Sequence, residues 1–211
     1  MSARFITFEG GEGAGKSTQV KRLAEALRAK GRDVVVTREP GGTPNAERIR
    51  SLVVEGATDT WLPASEMLLY LAARYDHIER LIKPALAAGK DVICDRFIDS
   101  TIAYQGWGHG LDIKQIVHFH TLIGAIEPDI TFLLDIPVTA GIQRAASRHK
   151  ADSSAEDRYE RLDTHFHERV RKGFLDIAKH HPKRCVVVDA AQSPDAVAQQ
   201  IILALAKHRK E

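Results

Sequence analysis

The run Gly10-Gly11-Glu12-Gly13-Ala14-Gly15-Lys16-Ser17 constrains this chain more than any other stretch. It fits G-x-x-x-x-G-K-[ST] and follows the apolar segment Phe5-Ile6-Thr7-Phe8. Glycines there let the backbone curl with its N–H groups turned inward, and a helix beginning at Lys16 adds the positive end of its dipole. Such a loop needs a strand before it and a helix after it. Both are legible: beyond the loop, Val20, Leu23, Ala24 and Leu27 recur at helical spacing until Gly31 stops the run. The residues from Gly10 to Thr18 therefore read as a phosphate-binding loop, with Lys16 reaching the outer phosphates and the Ser17 hydroxyl ligating Mg²⁺.

Five apolar runs punctuate the chain: Phe5 to Phe8, Val34 to Thr37, Val92 to Cys94, Ile130 to Leu134 and Cys185 to Val188. None alternates, which indicates a parallel sheet covered on both faces. Helical patterns lie between them, at about residues 16–30, 44–55, 64–75, 78–88, 112–126, 138–148 and 156–180. Ser193-Pro194-Asp195 caps a last helix carrying Val197, Ile201 and Leu205 on one face. The expected architecture is a three-layer α/β fold, a five-stranded parallel sheet flanked by helices, in one domain over residues 1–211.

The charge balance, 30 basic against 28 acidic residues, does not point to a nucleic acid or a membrane surface as partner, so any anion site must be local. Cys94 and Cys185 sit inside apolar runs as small core residues rather than a disulfide framework. No apolar stretch approaches membrane-spanning length and no signal-peptide core is visible, so the expected compartment is the cytoplasm.

Ligands of such sheets collect at the carboxyl ends of the strands. The second run ends in Arg38-Glu39-Pro40-Gly41-Gly42-Thr43, a forced turn with a charged pair; the third in Asp95-Arg96-Phe97; the fourth in Asp135-Ile136-Pro137. A strand-end Asp beside a phosphate loop is the usual Mg²⁺ anchor, and Asp95 and Asp135 both qualify by position. Asp95 is favoured because Arg96 follows it with a planar, permanently charged fork suited to phosphate, whereas Asp135 reads better as a helix cap.

The stretch Asp99-Ser100-Thr101-Ile102-Ala103-Tyr104-Gln105-Gly106 mixes hydroxyls, an amide and a ring, suited to holding a base or sugar. Tyr70 and Arg74 share a helix face, where they could stack on and bond a base, although a half-buried Tyr and a surface Arg are the more ordinary reading. Late in the chain Arg144, Arg148, Lys150, Arg158 and Arg161 are interspersed with acids. The polar tract from His149 to Ala155 suggests a mobile flap between two helices, a lid at about 144–160 that brings arginines over the phosphates.

Taken together, Phe8-Glu9-Gly10 to Thr18, Thr37-Arg38-Glu39-Pro40-Gly41-Gly42-Thr43, Leu71-Ala72-Ala73-Arg74, Asp95-Arg96-Phe97 and Ser100 to Gly106 resemble the bacterial thymidylate kinases, a family of the nucleoside monophosphate kinase group. The resemblance implies ATP-dependent transfer of a γ-phosphoryl group to dTMP, giving dTDP and ADP, by a homodimer. It places Tyr70 on thymine and Arg74 at the thymine O4, with Thr101 and Gln105 near the base's other edge. Arg50 and Arg96 fall at the acceptor phosphate and Glu12 near the sugar hydroxyl, with Glu39, Ser100 and Tyr104 completing the acceptor set. The chain departs from the family by carrying Tyr rather than Phe at position 70, which keeps the ring and adds a hydroxyl needing a partner. Because the loop has no arginine, the catalytic cation must come from the lid; Arg148 is the choice, with Arg158 second and Arg144 beside the adenine. A deoxynucleoside kinase is the alternative, with Glu39 as the base it would require. A nucleotide-dependent switch is a third reading, but the chain has no Asn/Thr-Lys-x-Asp guanine signature.

Overall fold

A computed structural model describes residues 2–149 and 158–208, with the side chains of residues 148 and 149 outside that description. The strands are β1 (Phe5–Glu9), β2 (Val34–Arg38), β3 (Asp91–Asp95), β4 (Ile130–Asp135) and β5 (Cys185–Asp189), paired in the order β2-β3-β1-β4-β5 and parallel throughout. The five apolar runs thus form one sheet, and each strand extends one residue past its run to a polar or charged residue. Registers of Arg38 with Asp95, Phe8 with Asp95 and Asp135 with Asp189 align these ends along one edge.

Successive side chains of a strand face opposite sides, and the core divides accordingly. Ile6, Phe8, Ile93, Phe132 and Leu134 pack on one face against α1 (Lys16–Arg28) and α9 (Pro194–Lys207), through Val20, Leu23, Val197 and Ile201. Phe5, Val92 and Cys94 face the other way, onto α3 (Pro63–His77) and α6 (Ile113–Leu122), while Leu133 meets α8 (Thr164–His180). The remaining helices are α2 (Pro44–Val54), α4 (Lys83–Ala87), α5 (Ile98–Thr101) and α7 (Val138–His149). Thr43 caps α2, its Oγ1 accepting from the Ala46 N–H, and Ser193 caps α9 in the same way. Cys94 and Cys185 are buried free thiols, and among the described residues no helix is long and apolar enough to cross a membrane.

Three helical boundaries differ from the sequence reading. The helices expected at 64–75 and 78–88 run together, because α3 passes through a π-helical segment, Ile78–Ile82, into α4. Pro84, with no N–H to give, makes an ordinary α-helical ladder impossible there. Residues 98–108 are also helical, α5 continuing as a second π segment, Ile102–Gly108. Polar residues and two glycines hide this helix, yet the glycines serve its packing: a Cβ at Gly108 would meet the Phe166 ring at 2.6 Å. Finally, α8 begins at Thr164 rather than near 156, where the Asp163 side chain accepts from the Phe166 N–H at 2.8 Å.

His120, on α6, stands edge-on to Phe97 at 5.6 Å with both ring nitrogens buried and lacking partners among the described residues. Burial, assisted by the Arg74 charge, lowers its pKa from 6.5 to about 3. The sign follows: the unfolded chain takes up a proton near pH 6.5 and the folded chain does not, so stability is complete above that value and declines as pH falls towards 3. His120 is expected to remove up to ~2 kcal/mol between pH 7 and pH 5, and His120→Phe to flatten that slope in denaturant titrations. An unchanged slope in the variant would refute this assignment.

Candidate active site

The phosphate loop joins β1 to α1 at the centre of the aligned strand ends. Gly10, Gly13 and Gly15 have φ of 136°, 66° and 86°, which L side chains rarely adopt. Space is equally restrictive, since a Cβ on Gly13 would lie 2.0 Å from the Gly141 carbonyl oxygen. Lys16 donates to the carbonyls of Gly10 and Gly11 at 3.0 and 2.8 Å, so its ammonium spans the loop's mouth. Burial and the nearby Arg96 charge lower its pKa to about 8, against the pull of Glu12, Asp95 and Glu9. A polyanion arriving there is met by an ammonium already stripped of most of its water.

Arg96, first residue after β3, organises the second half of the site. Its φ of 71° is left-handed, a strained state for a residue with a side chain. This conformation turns the guanidinium back over the loop: Nη1 donates to Gly10 O at 3.1 Å and Ser100 Oγ at 3.0 Å, Nη2 to Glu12 Oε1 at 2.9 Å and the Tyr104 hydroxyl at 3.1 Å. Its carbon also lies 5.0 Å from the Tyr104 ring centre. Tyr104 in turn donates to Glu12 Oε1 at 2.8 Å, and among the described residues Oε2 accepts no hydrogen bond. Burial works against ionisation of Glu12, but the Arg96 and Lys16 charges and the Tyr104 hydroxyl outweigh it and hold the pKa at about 2.

Glu9, which the sequence offers only as part of a motif, joins the site through the turn after β3. Buried at the end of β1, it accepts from the Phe97 N–H at 2.7 Å and the Ser100 hydroxyl at 2.5 Å, so it ties down the turn that strains Arg96. Burial and the neighbouring Asp99 raise its pKa to about 8. The only signal in the sequence was an acid at the end of an otherwise apolar strand.

Ser17 Oγ donates to Asp95 Oδ2 at 2.9 Å, bringing together two hard oxygen donors at the loop's edge, a set that suits Mg²⁺. Asp135, the other positional candidate, is engaged elsewhere. Arg171 on α8 grips both its oxygens at 2.8 and 2.9 Å, so it serves neither a metal nor the helix-cap role expected of it.

Away from the loop, Arg74 is 1% exposed rather than at the surface. It donates to Glu39 at 2.7 Å through Nε and to Thr101 at 2.9 Å through Nη2, and Nη1 has no partner among the described residues. Glu39 also takes His77 Nδ1 at 3.0 Å; burial opposes its ionisation, but Arg74 and His77 prevail and lower its pKa. A carboxylate so occupied is no general base. Arg50 donates to the Pro40 carbonyl at 2.9 Å. Tyr70 finds the hydroxyl partner it needed in Tyr159, at 3.0 Å.

The lid arginines separate. Arg144 on α7 caps the carbonyls of Ala190 and Ala191 beyond β5, at 2.8 and 3.3 Å. Arg158 is 2% exposed and pinned to Glu66 and to the carbonyls of Val53, Ala57 and Thr58, which fits a clamp and not a cation free to approach phosphates. The side chains of Arg148 and His149, and residues 150–157, which hold Lys150 and the rest of the expected flap from His149 to Ala155, lie outside the described residues.

One cavity of about 630 Å³ joins these groups, lined by the phosphate loop, Ser17 and Asp95 together with Arg50, Tyr70, Arg74, Thr101 and Gln105. Arg96 and Tyr104 line its wall as well. The lining offers two anion-binding stations, the loop with Lys16 and the arginines Arg50 and Arg96, together with an aromatic ring and directed polar groups.

Comparison with known proteins agrees with this geometry. The family model described as thymidylate kinase matches residues 8–201. The chain is 53% identical over 198 residues to a thymidylate kinase of Caulobacter vibrioides, covering 93% of each, and 51% identical over 200 residues to one of Dinoroseobacter shibae, covering 94% of each. A crystal structure of thymidylate kinase from Ehrlichia chaffeensis superposes with a TM-score of 0.78 at 39% identity, covering 97% of this chain and 99% of that one. With the matches running through both anion stations and nearly end to end, the chain belongs to the thymidylate kinase family.

Proposed function

We propose that this protein transfers the γ-phosphoryl group of ATP to the 5′-phosphate of dTMP, giving dTDP and ADP. The observation that carries the reading is the continuous cavity between the phosphate loop and the Arg96–Glu12–Tyr104 cluster. ATP phosphates would lie in the loop against Lys16, with Arg144 near the adenine. The acceptor phosphate would meet Arg96 and Arg50, the sugar hydroxyl the free Glu12 oxygen, and the base would stack on Tyr70 with Arg74 and Gln105 at its polar edge. Thr101, already bonded to Arg74, would act by orienting it, and Glu39 likewise.

The acceptor phosphate is already an anion near neutral pH, so no general base is needed and rate comes from alignment and charge stabilisation. Ser17 and Asp95 would hold Mg²⁺, which when bound offsets charge on the phosphate oxygens. Arg148 is proposed as the lid cation and Arg158 as a structural clamp, within a single domain whose lid spans about 144–160. The deoxynucleoside kinase alternative is not supported: Glu39 is spent on Arg74 and His77, and relatives of about 50% identity are thymidylate kinases. A coupled ADP-release assay should show dTMP far exceeding thymidine as acceptor; preference for thymidine would overturn the reading.

A homodimer is also proposed. Leu52 on α2, Leu68 and Tyr75 on α3, and Val117 and Leu122 on α6 leave apolar side chains 44–65% exposed on adjoining helices. Light scattering in solution should report twice the 23.4 kDa chain mass, and a particle of single mass would refute the assembly. The reduced, buried cysteines are compatible with the cytoplasm as its proposed compartment.

A further inference from the structure

Glu66 lies outside the cavity lining, 1% exposed, and accepts from three hydrogen-bond donors, with His109 Nε2 farther off at 3.8 Å from Oε1. Arg158 pairs with one oxygen, while the Tyr159 hydroxyl and Gln105 Nε2 donate to the other at 2.7 and 2.8 Å. A carboxylate ion-paired to a guanidinium has no proton to give, so every group facing it must present hydrogen. That requirement fixes Tyr159 as a donor to Glu66, and leaves its oxygen to accept from Tyr70 at 3.0 Å and from Gln105 Nε2 at 3.2 Å. Both N–H groups of the Gln105 amide are thereby used.

The amide cannot turn over, since its oxygen would then face the carboxylate. Gln105 lines the cavity, and its Oε1 accepts no hydrogen bond from the described residues. Arg74 supplies the opposite polarity, a buried Nη1 without a partner among the described residues. The base end therefore offers one fixed acceptor and one fixed donor. A 4-oxo pyrimidine matches this pair, with N3–H to give and O4 to accept; a 4-amino pyrimidine presents the reverse and would leave both protein groups unsatisfied.

We propose that Glu66 is a positioning residue that sets pyrimidine selectivity, locking the Gln105 amide with its oxygen towards the base so that 4-oxo nucleotides are accepted and 4-amino nucleotides rejected. This rests on the reading that the base of dTMP occupies this end of the cavity. Tyr70, Tyr159 and Arg158 belong to the same lock, which gives the extra hydroxyl at position 70 a purpose.

The test is Glu66→Gln, whose amide can donate to Gln105 Oε1 and so permits the flipped state. The ratio of kcat/KM for dTMP to that for dCMP should fall at least about tenfold, with dCMP gaining in absolute terms, while the KM for ATP stays within about twofold. A ratio held while both values fall together would show a merely structural role and overturn the proposal. Gln105→Ala separates the two levels. If it leaves the dTMP KM unaltered, the base-site reading itself fails; if it raises KM and Glu66→Gln keeps the ratio, only the present inference fails. Should Glu66→Gln not fold because Arg158 loses its counter-charge, the double variant Glu66→Gln/Arg158→Gln removes both charges and carries the same reading.

Discussion

Arg96→Ala is expected to lower kcat/KM for dTMP by about 10³- to 10⁴-fold while leaving the KM for ATP nearly unchanged. The size follows from how much one guanidinium does. Its contacts tie the phosphate loop, at Gly10 and Glu12, to Ser100 and Tyr104 on the helix beyond β3, and its charge offsets that of Glu12. Without it, an incoming phosphate faces a Glu12 carboxylate that has lost its nearest counter-charge, so repulsion is added to the lost attraction. Arg96→Lys should recover little, because an ammonium on a flexible stem cannot replace a planar fork whose two Nη atoms each serve two partners. Steady-state kinetics with each substrate varied in turn reads this directly. A loss below tenfold in Arg96→Ala would mean that the acceptor phosphate is held elsewhere.

The second large effect contrasts two arginines of the expected lid. Arg148→Ala should lower kcat by about 10³-fold, the scale of a cation that acts on the transferring phosphoryl group, with little change in dTMP KM or in stability. Arg158→Ala should do the reverse, costing ~3–5 kcal/mol in denaturant unfolding because it strands Glu66 as a buried unpaired charge. The guanidinium of Arg158 also satisfies three backbone carbonyls at the end of α2 and in the loop beyond it, so local order there should decline too. If Arg148→Ala kept wild-type kcat while Arg158→Ala folded stably and lost orders of magnitude in rate, the two roles would have to be exchanged.

These contrasts mark what could be read from the chain and what could not. The phosphate loop and all five strands were legible because their signals are local: a glycine pattern, and unalternating apolar runs. The strand-end residues Asp95 and Arg96 were legible too, since parallel sheets gather ligands at that edge. Pairings were not. Glu9 looks like the last residue of a strand until the register of β1 with β3 sets it beneath the turn at Phe97. Arg158 has the composition of a lid cation and the burial of a core residue, and only the fold, by bringing Glu66 to it, decides between them. Arg74 shows the same in the other direction, its expected exposure overturned by the buried Glu39 carboxylate. The helix at 98–108 was hidden because its polar side chains and glycines answer to the cavity and to α8 rather than to helix propensity.

The central claim is that one cavity receives both nucleotides and passes a phosphoryl group directly between them. Phosphorus NMR of the purified protein with ATP, Mg²⁺ and dTMP tests it most directly. The β-phosphate resonance of dTDP should appear in step with ADP, one for one, with no inorganic phosphate preceding it. Release of inorganic phosphate while dTMP persists unchanged would contradict the account.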